Sequence, residues 1–162
     1  MQHLITPVPD GFVRLVAAEP LHGDPDRVAA LLASHPPWAD LRTEPSGGTG
    51  LRRYAVDLRL RLGSESAAIT TFRKAAFLDL GVPKRTVQGW ELEIGWRASS
   101  AAPLFPVFAG WLAIGPEELS IEGLYAPPGG LAGRAADRML LHVAAIGTGR
   151  WLLGEIERAA AV

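Results

Sequence analysis

No cysteine occurs anywhere in the chain. Disulfides, thiolate-ligated zinc and thiol nucleophiles are therefore excluded. Histidine is sparse as well: His3, His22, His35 and His142 lie far apart and form no HxxxH or HExxH pair, so no metal site is expected. There is no G-x-S-x-G turn, and the serines fall in loop contexts such as "EPSGG", "GSES" and "ASSAAP". The glycine-rich strings "SGGTG" and "PPGGLAG" do not fit a phosphate loop and read as turn and helix entry, so no cofactor is expected. Charge of one sign is missing too. The net charge is −1, without the basic surplus or stripe of a nucleic-acid binder. The longest uncharged run, 98–116, contains Pro103 and Pro106, which break a spanning helix; it reads as a loop followed by a buried strand, and no membrane span is expected. The start, "MQHLITPVPDG", has no basic and then apolar leader pattern, which makes the cytoplasm the expected location.

What is present suits one globular domain over 1–162. Hydrophobic residues make up 48% of the chain and charged residues 20%, enough apolar side chain for a single core. Basic charge is carried almost wholly by arginine, and Ala, Gly and Pro are plentiful, a composition that hints at a GC-rich, bacterial genome.

The order of elements follows from periodicity. Residues 11–19 alternate as a first strand. Asp24, Pro25 and Asp26 then supply an N-cap, a first-turn proline and a first-turn acid for a short helix carrying Val28, Leu31 and Leu32. "HPP" ends that helix, and "WADL" allows one further turn. Strands follow closely. Residues 54–62 alternate strictly, with Val56, Leu58, Leu60 and Leu62 on one face. A less regular strand is expected over 67–80, then a turn at "GVPKRT". Residues 87–98 place Trp90, Leu92, Ile94 and Trp96 against Glu91, Glu93 and Arg97. A strand apolar on both faces is expected over 104–114, and Leu119, Ile121, Gly123 and Tyr125 mark the last. After "PPGG" a long helix is expected over 131–160, with Met139, His142, Val143, Ile146, Leu153 and Ile156 on its apolar face. Gly147 and Gly149 inside it mark either a kink or a close approach to the sheet.

The predicted class is α+β: a curved antiparallel sheet wrapped around a long C-terminal helix, with one or more short helices after the first strand. A sheet with one apolar face needs a cover, and only the terminal helix is long enough to provide it.

In the stretch from about 80 to 153, "GWELEIGWRA", "LFPVFAGWLAI", "GLYAPPGG" and "DRMLLHVAAIGTGRWLL" resemble the SRPBCC superfamily. This is the START-related, polyketide-cyclase-like and birch-allergen-like helix-grip group, and the resemblance is closest to a bacterial branch of small proteins. The first half matches in element order only, and Gly147 and Gly149 depart from the branch's more regular terminal helix. The resemblance implies a helix-grip fold with a cavity between sheet and helix for an apolar ligand; it implies no particular substrate.

Two sets of residues are candidates. His142, on the apolar face of the helix, can act as a general base or hydrogen-bond donor, or serve as a buried structural histidine bonded to a partner such as Tyr54 or Tyr125. The aromatics Trp90, Trp96, Phe105, Phe108, Trp111 and Tyr125 are either ordinary core or the wall of an apolar pocket. The expected cavity set is Trp90, Trp96, Phe108, Trp111, Tyr125, Met139, His142 and Ile146. Should the register of 87–98 be reversed, its carboxylates would point inward and favour acid–base chemistry.

The first functional expectation is a binding protein for a small hydrophobic or aromatic molecule. The second is a cyclase-, aromatase- or dehydratase-like enzyme acting on a polyketide-type substrate, with His142 in its site. The third is a protein-interaction module that uses the outer sheet face around Arg59, Arg61 and Arg73. The pattern specifies no oligomeric state; a monomer is one option.

Overall fold

The computed structural model describes residues 7–43, 50–62, 70–99, 107–126 and 135–161, with the side chains of 60–62, 70–72 and 135–141 outside the description. The described strands are β1 (Val13–Pro20), β2 (Arg42–Thr43), β3 (Arg52–Leu62), β4 (Thr70–Leu80), β5 (Lys84–Thr86), β6 (Gly89–Ala98), β7 (Val107–Ile114) and β8 (Glu118–Ala126). The described helices are α1 (Pro25–Ser34) and α2 (Ala135–Ala160), with a 3-10 turn at Ala39–Leu41. All pairings are antiparallel, in the order β1-β8-β7-β6-β4-β3-β2, and β5 adds to β6 beside β4.

Alternation decides which face is buried. On β6, Leu92, Ile94 and Trp96 are buried while Glu93 and Arg97 are exposed, so the carboxylates point outward. The same inner face carries Leu15 and Ala17 from β1, Tyr54, Val56 and Leu58 from β3, Ala76, Leu78 and Leu80 from β4, and Leu112, Ile114, Leu119 and Ile121 from β7 and β8. The curved sheet closes on α2, which packs chiefly against β1 and β3, strands at or near opposite edges of the sheet. Leu152, Leu153 and Ile156 of α2 are fully buried there. This is the expected helix-grip, α+β architecture.

Asp24 caps α1 by accepting the Asp26 amide at 2.9 Å, and Pro25 occupies the first turn. At the other end of α1, the Arg52 guanidinium donates to the Leu32 and Ala33 carbonyls at 2.8 and 2.7 Å and to the Gly81 carbonyl at 2.8 Å. A cation thus meets the negative end of the helix and ties it to the sheet.

α2 is one unbroken helix over its described length. Gly149 is buried, and a Cβ there would stand 3.1 Å from the Ala17 Cβ, so the glycine marks a close approach to β1 rather than a kink. Residues 131–134 lie outside the described residues. Two expectations are corrected. "KRT" pairs as a short strand instead of turning freely, because the chain re-enters alongside β6. Val143 is 41% exposed; the buried stripe runs through Ala144, Ala145, Thr148, Leu152, Leu153 and Ile156 instead. Among the described residues no helix is long and apolar enough to cross a membrane.

Candidate ligand-binding site

Register places one rung of large side chains across the concave face. Tyr125 on β8 stands opposite Phe108 on β7, and Phe108 opposite Trp96 on β6; Trp96 is opposite Leu78 on β4, and Leu78 opposite Tyr54 on β3. All five are buried. Neighbouring strands lie about 4.8 Å apart, so the rung extends for about 19 Å along the sheet.

Its centre is a parallel stack. The rings of Trp96 and Phe108 have centroids 4.0 Å apart and an interplanar angle of 20°. Gly110 and Gly123 make this possible. They face each other one rung below, and a Cβ on either would sit 2.7 Å from the Phe108 Cζ and run into the backbone of the adjoining strand. Two missing side chains let β7 and β8 close up and the Phe108 ring lie over them.

The rungs on either side differ in bulk. Toward Gly110 the interior is filled by Leu15, Ile94 and Leu80, then Ile121, Leu112 and Leu92. On the opposite side the next rung is Val56, Ala76 and Ala98, two of which carry a single side-chain carbon. The aromatic rung therefore bounds a densely packed half of the interior.

From the helix side, His142 reaches the rung. Its Nδ1 is 3.2 Å from the Tyr125 hydroxyl, and the two rings are nearly parallel with centroids 6.0 Å apart. Burial pushes the Tyr125 phenol up from its usual range, so at neutral pH it is a neutral hydroxyl able to donate or accept. Ile146, one turn on, is half-buried against the core. Two indole N–H groups, Trp96 Nε1 and Trp151 Nε1, are buried without a hydrogen-bond partner among the described residues. An unpaired buried donor forfeits about 1–3 kcal/mol, so each is a place where an incoming acceptor is favoured.

Trp96, Phe108, Tyr125 and His142 are thus brought together, with Ile146 beside them. The side chain of Met139 lies outside the described residues. Trp90 and Trp111 stand elsewhere. Trp90 shares the strand phase of Trp96 but is three rungs away, about 20 Å along β6. Its indole donates to Asp26 at 2.8 Å, and Arg85 lies over its ring at 5.0 Å. The Trp90 hydrogen bond, assisted by the Arg85 charge, draws the Asp26 carboxyl below its usual pKa. Trp111 is on the outer face, 39% exposed, opposite Glu93 and Glu122. Its strand is apolar on both faces, so alternation gave no phase for it. Tyr54, the other expected partner for His142, stands at the far end of the rung, opposite Leu78, while His142 bonds Tyr125. The glycines of β7 and β8 were the available signal for the close packing here, since a glycine inside a strand marks close approach.

No family model matches the chain, and no curated protein is significantly similar in sequence. Among the solved structures that share the fold are two aromatase/cyclases. One is the Zhui aromatase/cyclase from Streptomyces sp. R1128, with a TM-score of 0.51 and 14% identity, covering 93% of this chain and 94% of that one. The other is the di-domain ARO/CYC BexL from the BE-7585A biosynthetic pathway, with a TM-score of 0.52 and 14% identity; 95% of this chain is covered and 52% of that one, so this chain spans about half its length. At such identities the likeness concerns the fold alone.

Proposed function

We propose that this chain is a single helix-grip domain that binds a small, flat, hydrophobic molecule carrying an oxygen acceptor, held between the sheet and α2. The observation that carries this reading is the Trp96–Phe108 stack with its buried, unpaired indole N–H. Aromatic faces favour a flat apolar partner, and an unpaired donor favours one with a carbonyl or ether oxygen. Fluorene and 9-fluorenone share one flat tricyclic frame and differ at C9, a methylene in the first and a carbonyl in the second, and titration of each against tryptophan fluorescence tests the reading. Saturable one-to-one binding is expected for both, tighter for fluorenone by about fivefold to tenfold, the worth of one hydrogen bond. Trp96→Phe should abolish the difference between them. Absence of saturable binding by either compound refutes the reading.

The Tyr125–His142 pair favours a second reading, a cyclase- or dehydratase-like enzyme. Two groups able to exchange a proton 3.2 Å apart could divide the work of enolisation. His142 would take the proton α to a ketone, and the Tyr125 hydroxyl would donate a hydrogen bond to the enolate oxygen that forms. Deuterium uptake at C1 of 2-tetralone in heavy water, followed by proton NMR, should be faster with the protein than with His142→Ala or Tyr125→Phe. Equal rates for all three would remove the enzyme reading and leave the binding reading standing.

A further inference from the structure

The outer face of the sheet carries a second feature, separate from the interior rung. Across β6, β7, β8 and β1 its central rung is Glu93, Trp111, Glu122 and Val16. Trp111, Val107 and Val16 are exposed at 39%, 51% and 53%. Val16 lies two strands from Trp111, beyond Glu122, and Val107 two rungs along β7, so the exposed apolar side chains are spaced across the face around the indole. Trp111 is a ridge between two depressions. The larger, about 1310 Å³, has small side chains for its floor (Ala109, Ala113 and Ser120) and is flanked by Pro7–Pro9 and by the β5–β6 turn. The smaller, about 420 Å³, lies on the Glu93 side.

Charge is lopsided here although the chain as a whole is nearly neutral. Six carboxylates line the larger groove (Asp24, Asp26, Glu91, Glu117, Glu118 and Glu122) against two cations, Arg14 and Arg85. Both arginines are already engaged, Arg14 by Glu122 and Arg85 by Asp26. Those two ion pairs also occupy Glu122 and Asp26, which leaves Asp24, Glu91, Glu117 and Glu118 in the groove, and Glu93 beside Trp111, without an ion pair among the described residues; a lysine or arginine here would gain a carboxylate partner and a cation–π contact together. The groove's size is above the usual range for a small-molecule pocket, about 300–1,000 Å³, and it is open along the sheet.

We propose that this face docks a basic, extended segment of a partner protein, its cationic side chains straddling Trp111 and its apolar ones resting on Val107 and Val16. The surface differs from the Arg59 and Arg73 region. Those two exposed arginines face each other across β3 and β4 and repel other cations.

The test uses a fluorescein-labelled dodecapeptide of alternating lysine and valine, and its counterpart with glutamate for lysine, followed by fluorescence anisotropy. Saturable one-to-one binding of the lysine peptide alone is expected, weakening sharply as salt rises from about 0.05 to about 0.5 M. Trp111→Ala and the double change Glu91→Lys, Glu93→Lys should each weaken it by about tenfold or more. Arg59→Glu, away from the groove, should leave it unchanged. Circular dichroism and urea midpoints confirm that the surface variants remain folded. Equal affinity of wild type and Trp111→Ala for the lysine peptide overturns the proposal. So does a groove that binds tetramethylammonium but no peptide, which would make it a site for a small organic cation.

Discussion

A phenol held on the inner face of a sheet resists ionisation, because the charge would form away from water. Tyr125 is such a group, its pKa raised by burial. In the unfolded chain a tyrosine loses its proton near pH 10. Above that pH the folded state holds the proton longer than the unfolded state, so the contribution of Tyr125 to stability is complete below about pH 10 and is lost as pH climbs through the raised value. Urea midpoints measured from pH 8 upward should fall more steeply for the native protein than for Tyr125→Phe; parallel curves would show that the phenol does not titrate in this way. At neutral pH the same substitution removes the bond to His142 and should cost about 1 kcal/mol. Gly110 makes a sharper demand. An alanine methyl there would meet the Glu122 carbonyl and the Phe108 ring tip, and neither β7 nor the stacked ring has room to retreat. Overpacking of this kind costs about 1–3 kcal/mol, and Gly110→Ala should reach or exceed that range in urea unfolding.

Two glycines of α2 invite the same substitution with opposite outcomes. Each should gain up to about 1 kcal/mol from the better helix propensity of alanine. At Gly154 a Cβ would meet nothing within 4 Å, and Gly154→Ala should raise stability by most of that amount. At Gly149 the new methyl would press on Ala17, and α2 is held between β1 and β3 with no direction in which to back away. Gly149→Ala should therefore lower the thermal midpoint while Gly154→Ala raises it, a contrast that calorimetry can read directly. The same elements show what a sequence reveals. α1 was legible from Asp24 and Pro25 because capping is local chemistry. β3 and β6 were legible because one face meets water and alternation records it. β7 meets apolar neighbours on one face and exposes Val107 and Trp111 on the other, so no pattern distinguished its sides and Trp111 was expected inward. The stripe on α2 was misassigned at Val143 because small residues surround a helix gripped from two sides, and spacing alone cannot orient it. The Tyr125–His142 pair could be anticipated as one of two options, since both residues were expected on faces turned toward each other. The Trp96–Phe108–Tyr125 rung could not, because it depends on register, which no single strand encodes.

For the molecule as a whole, the concave interior divides at the aromatic rung into a half filled by aliphatic side chains and a side bordered by alanines. If the filled half provides stability and the rung provides recognition, substitutions in the two places should separate the two properties. Leu153→Ala and Ile156→Ala each empty space in the fully buried part of α2, and each should cost about 2–5 kcal/mol. Provided the protein stays folded, their affinity for 9-fluorenone should match the native value within about twofold, since neither residue belongs to the rung. Trp96→Phe should do the reverse, with a smaller loss of stability, because the lost volume is partly offset by removal of the unpaired N–H, and a larger loss of fluorenone affinity. Urea unfolding and fluorescence titration on the same three variants decide the matter. Affinity that follows stability across all three would mean that the interior is one undivided core, and that the curved sheet grips its helix without keeping a place for anything else.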